Sequence, residues 1–216
     1  ERAEREGRLY VIWGRDGLIE MVHERCSEGD RKYQPWTYWD DHVWRRCEPG
    51  GLLPLFNGHR LDEAATVFIH EGAKAAAYVQ WMVDGETRGA RDALKAHPWG
   101  EQLANGVHVG WIGGAPNPRR TDWSVLRKAG VQRVFTIADN DDEGRSAVAP
   151  ISRAVGLPAI DVQFPSLFPG CFDLADPFPD KAPPFEDCCF PATQLTKMVP
   201  NGKKWKVELT RHAAGE

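Results

Sequence analysis

The chain has 216 residues, 42% of them hydrophobic and 27% charged, with a formal charge of −4 at pH 7. That balance suits one folded domain with substantial additions, or two small ones, and excludes a disordered chain and a uniformly basic nucleic-acid-binding surface. No run approaches the roughly 18 apolar residues that span a bilayer, and the opening ERAEREGR lacks the apolar core of a signal peptide, so a cytoplasmic protein without a membrane partner is expected.

Leu9 to Trp13, the turn signal Gly14-Arg15-Asp16-Gly17 and Leu18 to Arg25 read as a β-hairpin. Between Tyr33 and Trp44 the chain sets Trp36, Tyr38, Trp39 and Trp44 among polar residues. Such aromatic density suits small strands closing a mini-core, or alternatively a surface on which nucleic-acid bases stack. Residues 1–60 are therefore expected to form a strand-rich N-terminal subdomain.

From residue 66 strands and helices alternate. Thr66 to His70 is a short apolar run, followed by Glu71-Gly72 and an alanine-rich stretch, Ala73 to Val83, with good helix propensity. A second run, Val107 to Ile112, ends in Gly113-Gly114; a third, Val131 to Ala138, ends in Asp139-Asn140-Asp141. A helix over Arg145 to Val155 leads to a fourth run, Ala159 to Phe164. This alternation predicts an α/β fold over residues 61–166, a parallel sheet covered by helices on both faces. In residues 167–216 the prolines Pro169, Pro177, Pro179, Pro183, Pro184 and Pro191 break any long element, predicting an extended wrap or linker before a basic tail. That tail has no clear stop signal, as expected of a piece of a longer protein.

In an open parallel sheet, ligands bind beyond the carboxyl ends of the strands, where Glu71 and the Asp139-Asn140-Asp141 turn are placed. Asp139 and Asp141, two apart in an extended turn, can point the same way. Carboxylates gathered at one edge repel each other unless neutralised, and the natural partner is a hard divalent cation suited to phosphoryl chemistry. Taken alone, Asp141 or Asp142 is equally an N-cap for the helix that follows.

The segments VFIHEGAKAA and VFTIADNDDEGRSAV, each acidic group straight after a strand, resemble in order, context and spacing the two signature motifs of the Toprim domain. That domain, with a Rossmann-like parallel sheet, is shared by bacterial-type primases, topoisomerases and certain nucleases. Three features resemble the primases and primase-helicases of phages and mobile elements: Lys74 in an EGxK form, Asp141 to Arg145 as a DxxGR-like continuation, and Phe172-Asp173-Leu174-Ala175-Asp176 as a late acidic element. Ala75 departs from the acidic residue found there in many cellular primases.

The resemblance implies that Glu71, Asp139 and Asp141 are catalytic and bind Mg²⁺ or Mn²⁺, with Glu71 a ligand or a general acid or base, and that Asp173 and Asp176 join the metal set. Lys74, Arg145, Arg119 and Arg120 are candidate contacts to phosphate or nucleic acid; each is also explicable as surface charge. The implied function is a DNA primase, a nucleotidyl transferase acting with single-stranded DNA template and nucleoside triphosphates, beside a helicase domain or other replication partner. A Toprim nuclease and a non-catalytic nucleic-acid-binding Toprim module are the alternatives.

Other chemistries find little footing. The seven histidines show no HxxxH or HExxH spacing, which disfavours a zinc hydrolase, and no GxxxxGK[ST] P-loop is present. The five cysteines (Cys26, Cys47, Cys171, Cys188, Cys189) form no CxxC pair and are expected to be free thiols.

Overall fold

The computed structural model describes residues 9–192, apart from residues 25, 29, 30, 34, 35, 41, 48, 63 and 117 and the side chains of residues 26–28, 31–33 and 36. The basic tail with Lys203, Lys204 and Lys206, and the side chains of Cys26, Tyr33 and Trp36, lie outside the described residues.

Strands β1 (Leu9–Trp13) and β2 (Ile19–Glu24) form the expected hairpin, closed by the N–H of Gly14 donating to the carbonyl of Leu18 at 2.8 Å. β3 (Cys26–Glu28) and β4 (Arg31–Tyr33) pair with each other, and β5 (Trp36–Trp39) and β6 (Trp44–Arg45) extend the hairpin into an antiparallel sheet of order β1-β2-β5-β6. The pleat sends successive side chains to opposite faces. Tyr10, Ile12 and Met21 therefore point inward, joined by Tyr38, and pack with Leu53, Phe56 and Ile112 against Ala73 and Ala76. Trp39 and Trp44, opposite one another across the ladder, point outward instead. The aromatic segment thus splits by period two, with Tyr38 on the mini-core and the two tryptophans exposed.

The second sheet has the order β11-β10-β9-β7-β8. β7 (Thr66–Glu71), β8 (Val107–Trp111), β9 (Arg133–Ile137) and β10 (Ala159–Val162) are parallel. Apolar side chains on both sides of β7 explain its near-continuous hydrophobic run: Val67 and Ile69 face one core and Phe68 the other. Helices α1 (Gly72–Asp84), α2 (Arg88–Ala96) and α3 (Gly100–Leu103) lie over the Phe68 face. α4 (Ser124–Lys128) and α5 (Asp142–Val155) lie over the Ile69 face, through Leu126, Ala147, Val148, Ile151 and Val155. Helices cover both faces, as the strand-helix alternation predicts. α2, α3 and α4 were not anticipated, being short and lacking a long apolar stripe.

One detail departs from a plain parallel sheet. β11 (Cys189–Pro191) runs antiparallel along β10, so the sheet is mixed at one edge. The proline-rich chain between them lies on the protein: Phe168, Phe172, Leu174, Phe185 and Cys188 are buried in the same core as Phe68 and Trp99. Phe168 and Phe172 meet at a ring-centroid distance of 4.8 Å and both pack on Phe178. Prolines prevent helix or strand here, but burial needs neither, and the aromatic rings supply the apolar area.

Cys47, Cys188 and Cys189 are free thiols, as expected. Among the described residues no helix is long and apolar enough to cross a membrane.

Candidate metal centre

β7 and β9 are neighbours in parallel register, with His70 opposite Ile137, so their carboxyl ends deliver Glu71 and Asp139 to one edge. Between Glu71 and α1 there is no loop. Gly72 makes the turn with φ +76°, a left-handed conformation that disfavours any side chain, and the chain enters the helix at once. Glu71 occupies the N-cap position but its carboxylate does not cap the helix. It turns to β9 instead, where Oε2 accepts the backbone N–H of Asp139 at 3.2 Å. Burial pushes the Glu71 carboxyl above its usual range, opposed by backbone hydrogen bonds from Asp139 and Ala115, while the charges of Asp141 and Glu143 add to the rise.

Asp139 is the most perturbed carboxyl at this edge, pushed up to about 8. Burial is the largest cause, followed by the charges of Glu71, Asp173 and Asp141, with Lys74 pulling the other way. Four acidic side chains from three separate stretches of chain thus bear on one another. No hydrogen bond donor supports the Asp139 carboxylate among the described residues.

Asp141 is the N-cap of α5: its Oδ1 accepts the N–H of Gly144 at 2.7 Å. Capping and a contribution to the acidic edge are compatible, because the cap uses one oxygen. Gly144 is required by proximity. A Cβ there would lie 2.4 Å from the carbonyl oxygen of Asp139 and 3.0 Å from Oε2 of Glu71. Only a residue without a side chain lets the start of α5 approach both carboxylate-bearing strand ends.

The late acidic element reaches the same place by way of Asn140. Asn140 exchanges backbone hydrogen bonds with the chain at Cys171 and Phe172, its N–H donating to Phe172 at 3.0 Å and its carbonyl accepting from Cys171 at 3.0 Å. Its side-chain Nδ2 donates to the carbonyls of Phe168 and Pro169 at 3.2 and 2.8 Å. This staple places Asp173 and Asp176 beside α1, where Lys74 Nζ donates to Asp173 Oδ2 at 2.8 Å and Asp176 Oδ1 at 3.0 Å.

Of the residues singled out from sequence, the structure gathers Glu71, Asp139, Asp141, Asp173, Asp176 and Lys74. Arg145 sits on the first turn of α5, engaged with Asn140 Oδ1 at 3.1 Å and Asp142 Oδ1 at 2.7 Å. Arg119 is exposed, and Arg120 donates to the carbonyl of Pro49 at 2.7 Å, tying the N-terminal unit to the turn Pro118–Arg120 that packs on α5. Asn140 and Gly144 were not singled out. The role of Asn140 depends on a segment about 30 residues away, which no local pattern announces, whereas Gly144 is the glycine of the DxxGR-like continuation and only its approach to Glu71 is a matter of tertiary structure.

Behind the centre, His70 and His108 form a buried pair, His70 Nε2 to His108 Nδ1 at 2.8 Å, and His108 Nε2 reaches the carbonyl of Leu103 at 2.9 Å. Burial holds both well below the ordinary imidazole range, His108 at about 4, with their mutual repulsion adding to the drop at His70. They are neutral core groups.

Among the described residues no three His, Cys, Asp or Glu side chains converge tightly enough to enclose a metal ion unaided. Mg²⁺ asks for less, since it is held by one or two carboxylates and keeps waters or substrate phosphates as its remaining ligands. Asp139 and Glu71 offer hard oxygen donors of that kind, and the uncompensated Asp139 carboxyl is the group a cation would relieve.

In three dimensions the chain is similar to the primase fragment of the bacteriophage T7 primase-helicase protein, at 15% identity and a TM-score of 0.47, over 77% of this chain and 54% of that one. It is also similar to the zinc-binding and RNA polymerase domains of the Aquifex aeolicus primase, at 18% identity and a TM-score of 0.46, over 74% of this chain and 35% of that one. The chain therefore spans about half of the first and about a third of the second. No family model and no curated protein sequence matches it.

Proposed function

We propose that the chain is the catalytic part of a primase-type nucleotidyl transferase, joining nucleotides into short primers on single-stranded DNA at the edge formed by Glu71, Asp139 and Asp141. One observation carries the proposal: separate strand ends bring carboxylates together around Asp139, whose own carboxylate accepts no hydrogen bond among the described residues. An arrangement that costs stability in the bare protein is the arrangement that a divalent cation and a phosphate substrate stabilise.

A bound Mg²⁺ or Mn²⁺ would supply charge neutralisation at the α-phosphate and at the departing pyrophosphate. Asp139 and Glu71, which are linked by the hydrogen bond from the Asp139 backbone N–H to Glu71 Oε2, are the residues that would hold the ion. In the step itself, the attacking hydroxyl oxygen forms a bond to the α-phosphorus, the bond to pyrophosphate breaks, and the hydroxyl proton passes to the Glu71 carboxylate. Asp141 holds the start of α5 against this edge, aiming the positive end of that helix at the phosphates. The exposed Trp39 and Trp44, with ring centroids 5.8 Å apart, offer a stacking surface for template bases. Because the sequence holds no P-loop, unwinding belongs to a helicase domain or partner in this scheme.

The full chain, incubated with single-stranded DNA, labelled ribonucleotides and Mg²⁺ or Mn²⁺, is expected to make short oligonucleotides. Glu71→Gln and Asp139→Asn are each expected to cut synthesis by about 100-fold or more, the size attached to one well-placed electrostatic group. Synthesis that survives both substitutions sinks the site. Template cleavage in place of synthesis makes the protein a nuclease, and DNA binding with neither activity makes it a binding module.

A further inference from the structure

The acidic edge has two unlike halves. At Asp173 and Asp176 every carboxylate oxygen already accepts a hydrogen bond. Asp173 Oδ1 takes the N–H of Ala175 at 2.7 Å and Oδ2 takes Lys74 at 2.8 Å. Asp176 Oδ1 takes Lys74 at 3.0 Å and Oδ2 takes the N–H of Asp173 at 3.0 Å. The ammonium of Lys74 bridges the two side chains as a bound cation would. At Asp139, in contrast, no donor reaches the carboxylate among the described residues.

Lys74 is well placed to hold this position. It stands in the first turn of α1, a 13-residue helix that packs on the sheet through Val79 and Met82, so the root of its side chain is fixed. Asp173 is the more buried of its partners, at 13% side-chain exposure, where an ion pair is less screened by water than at the surface. A divalent ion entering between Asp173 and Asp176 has to displace Lys74 and then sit beside the displaced ammonium, with like charges close together. At the Glu71–Asp139 half Lys74 acts through its charge alone, its hydrogen bonds going to Asp173 and Asp176, so an ion there has no ammonium to displace.

We propose that Lys74 is a built-in cation occupying the Asp173–Asp176 half of the centre, so that the protein binds one divalent ion, at Asp139 and Glu71, where an unplugged acidic cluster of this size would take two. The inference rests on the metal-centre reading above and goes beyond it by reassigning Asp173 and Asp176 from metal ligands to partners of Lys74. Lys74 is accordingly a positioning residue and not a phosphate contact.

The number of ions bound tests this without reference to activity. Mn²⁺ alone is titrated into the full chain at pH 8 and followed by calorimetry and by electron paramagnetic resonance of free Mn²⁺. The wild type is expected to bind one ion, and Lys74→Met, which keeps the length of the side chain but removes its charge, two. The double variant Asp173→Asn with Asp176→Asn is expected to keep one ion, with affinity within about threefold of wild type, and also serves if Lys74→Met does not fold. Asp139→Asn is expected to lose the ion. Two ions in the wild type, one in folded Lys74→Met, or none in the Asp173/Asp176 double variant each overturn the proposal while leaving the metal centre intact. No ion in the wild type overturns the metal centre and this inference with it.

Discussion

Replacing Gly144 with alanine probes how closely α5 must approach the strand ends. The added Cβ would lie 2.4 Å from the Asp139 carbonyl oxygen, whereas real Cβ contacts essentially never fall under 3.0 Å, so the helix start and the strand end must separate by about half an ångström or more. Both neighbours are constrained: the Asp139 carbonyl belongs to the backbone and accepts the N–H of Asp141 at 2.8 Å. Overpacking of this kind costs about 1–3 kcal/mol, and alanine in a helix returns up to about 1 kcal/mol over glycine, for a net loss of about 1 kcal/mol at the middle of that range. The same displacement lengthens the hydrogen bond from Asp139 N to Glu71, already 3.2 Å, and uncouples the two carboxylates. A misplacement of about 1 Å at a reacting centre costs about 100-fold in rate, so primer synthesis should fall by roughly 10- to 100-fold. Urea unfolding of Gly144→Ala beside Gly170→Ala, whose Cβ would meet nothing within 4 Å, isolates the effect of contact from that of substitution. If Gly144→Ala unfolds within about 0.5 kcal/mol of wild type, the crowding inferred at this position is wrong.

Three further outcomes are expected. His97, whose Nδ1 accepts the N–H of Trp99 at 3.1 Å, is held down to about 4 by burial. Its stabilising contribution is therefore complete above about 6.5 and is lost as pH falls towards 4, because the unfolded chain takes up the proton first. His97→Asn keeps the acceptor and removes the titration, so the stability gap between wild type and variant should shrink by up to about 2 kcal/mol from pH 7 to pH 5 in chemical unfolding; an unchanged gap refutes it. Asn140→Ala removes two side-chain hydrogen bonds to the phenylalanine-rich segment and should cost about 2 kcal/mol, with faster amide exchange over residues 168–176; uniform exchange across the chain would argue against a local staple. Trp39→Ala with Trp44→Ala should weaken binding of single-stranded DNA about tenfold or more at unchanged melting temperature, in a fluorescence anisotropy titration, given about 1–3 kcal/mol per stacked base. Equal affinity would remove these tryptophans from the template path.

Much of the architecture is legible in local sequence because its causes are local. The apolar run Thr66 to His70, the alanine-rich stretch after it, and the run ending at Ala138 carry the periods of buried strand and helix, and the paired strands and helices appear within a few residues of where those periods place them. The antiparallel edge strand Cys189–Pro191 and the burial of Phe168, Phe172 and Phe185 were not legible. A proline-rich segment has no period, and only the presence of an apolar sheet face beside it decides that its aromatic rings are covered.

At the acidic edge the same division holds. Residue type and position after a strand mark Glu71, Asp139 and Asp141 as a group, since parallel strands in register must deliver their carboxyl ends to one side. Which oxygens are spent and which are free is a matter of contacts across some 70 to 100 residues, and only the tertiary structure decides it. Apart from the Asp141 cap, a three-residue contact legible in sequence, it closes Asp173 and Asp176 around Lys74 and, among the described residues, brings no donor to the Asp139 carboxylate. Hydrogen bonds act over about 3 Å, so sequence can bring a carboxylate to the right edge, but only packing can say what meets it there.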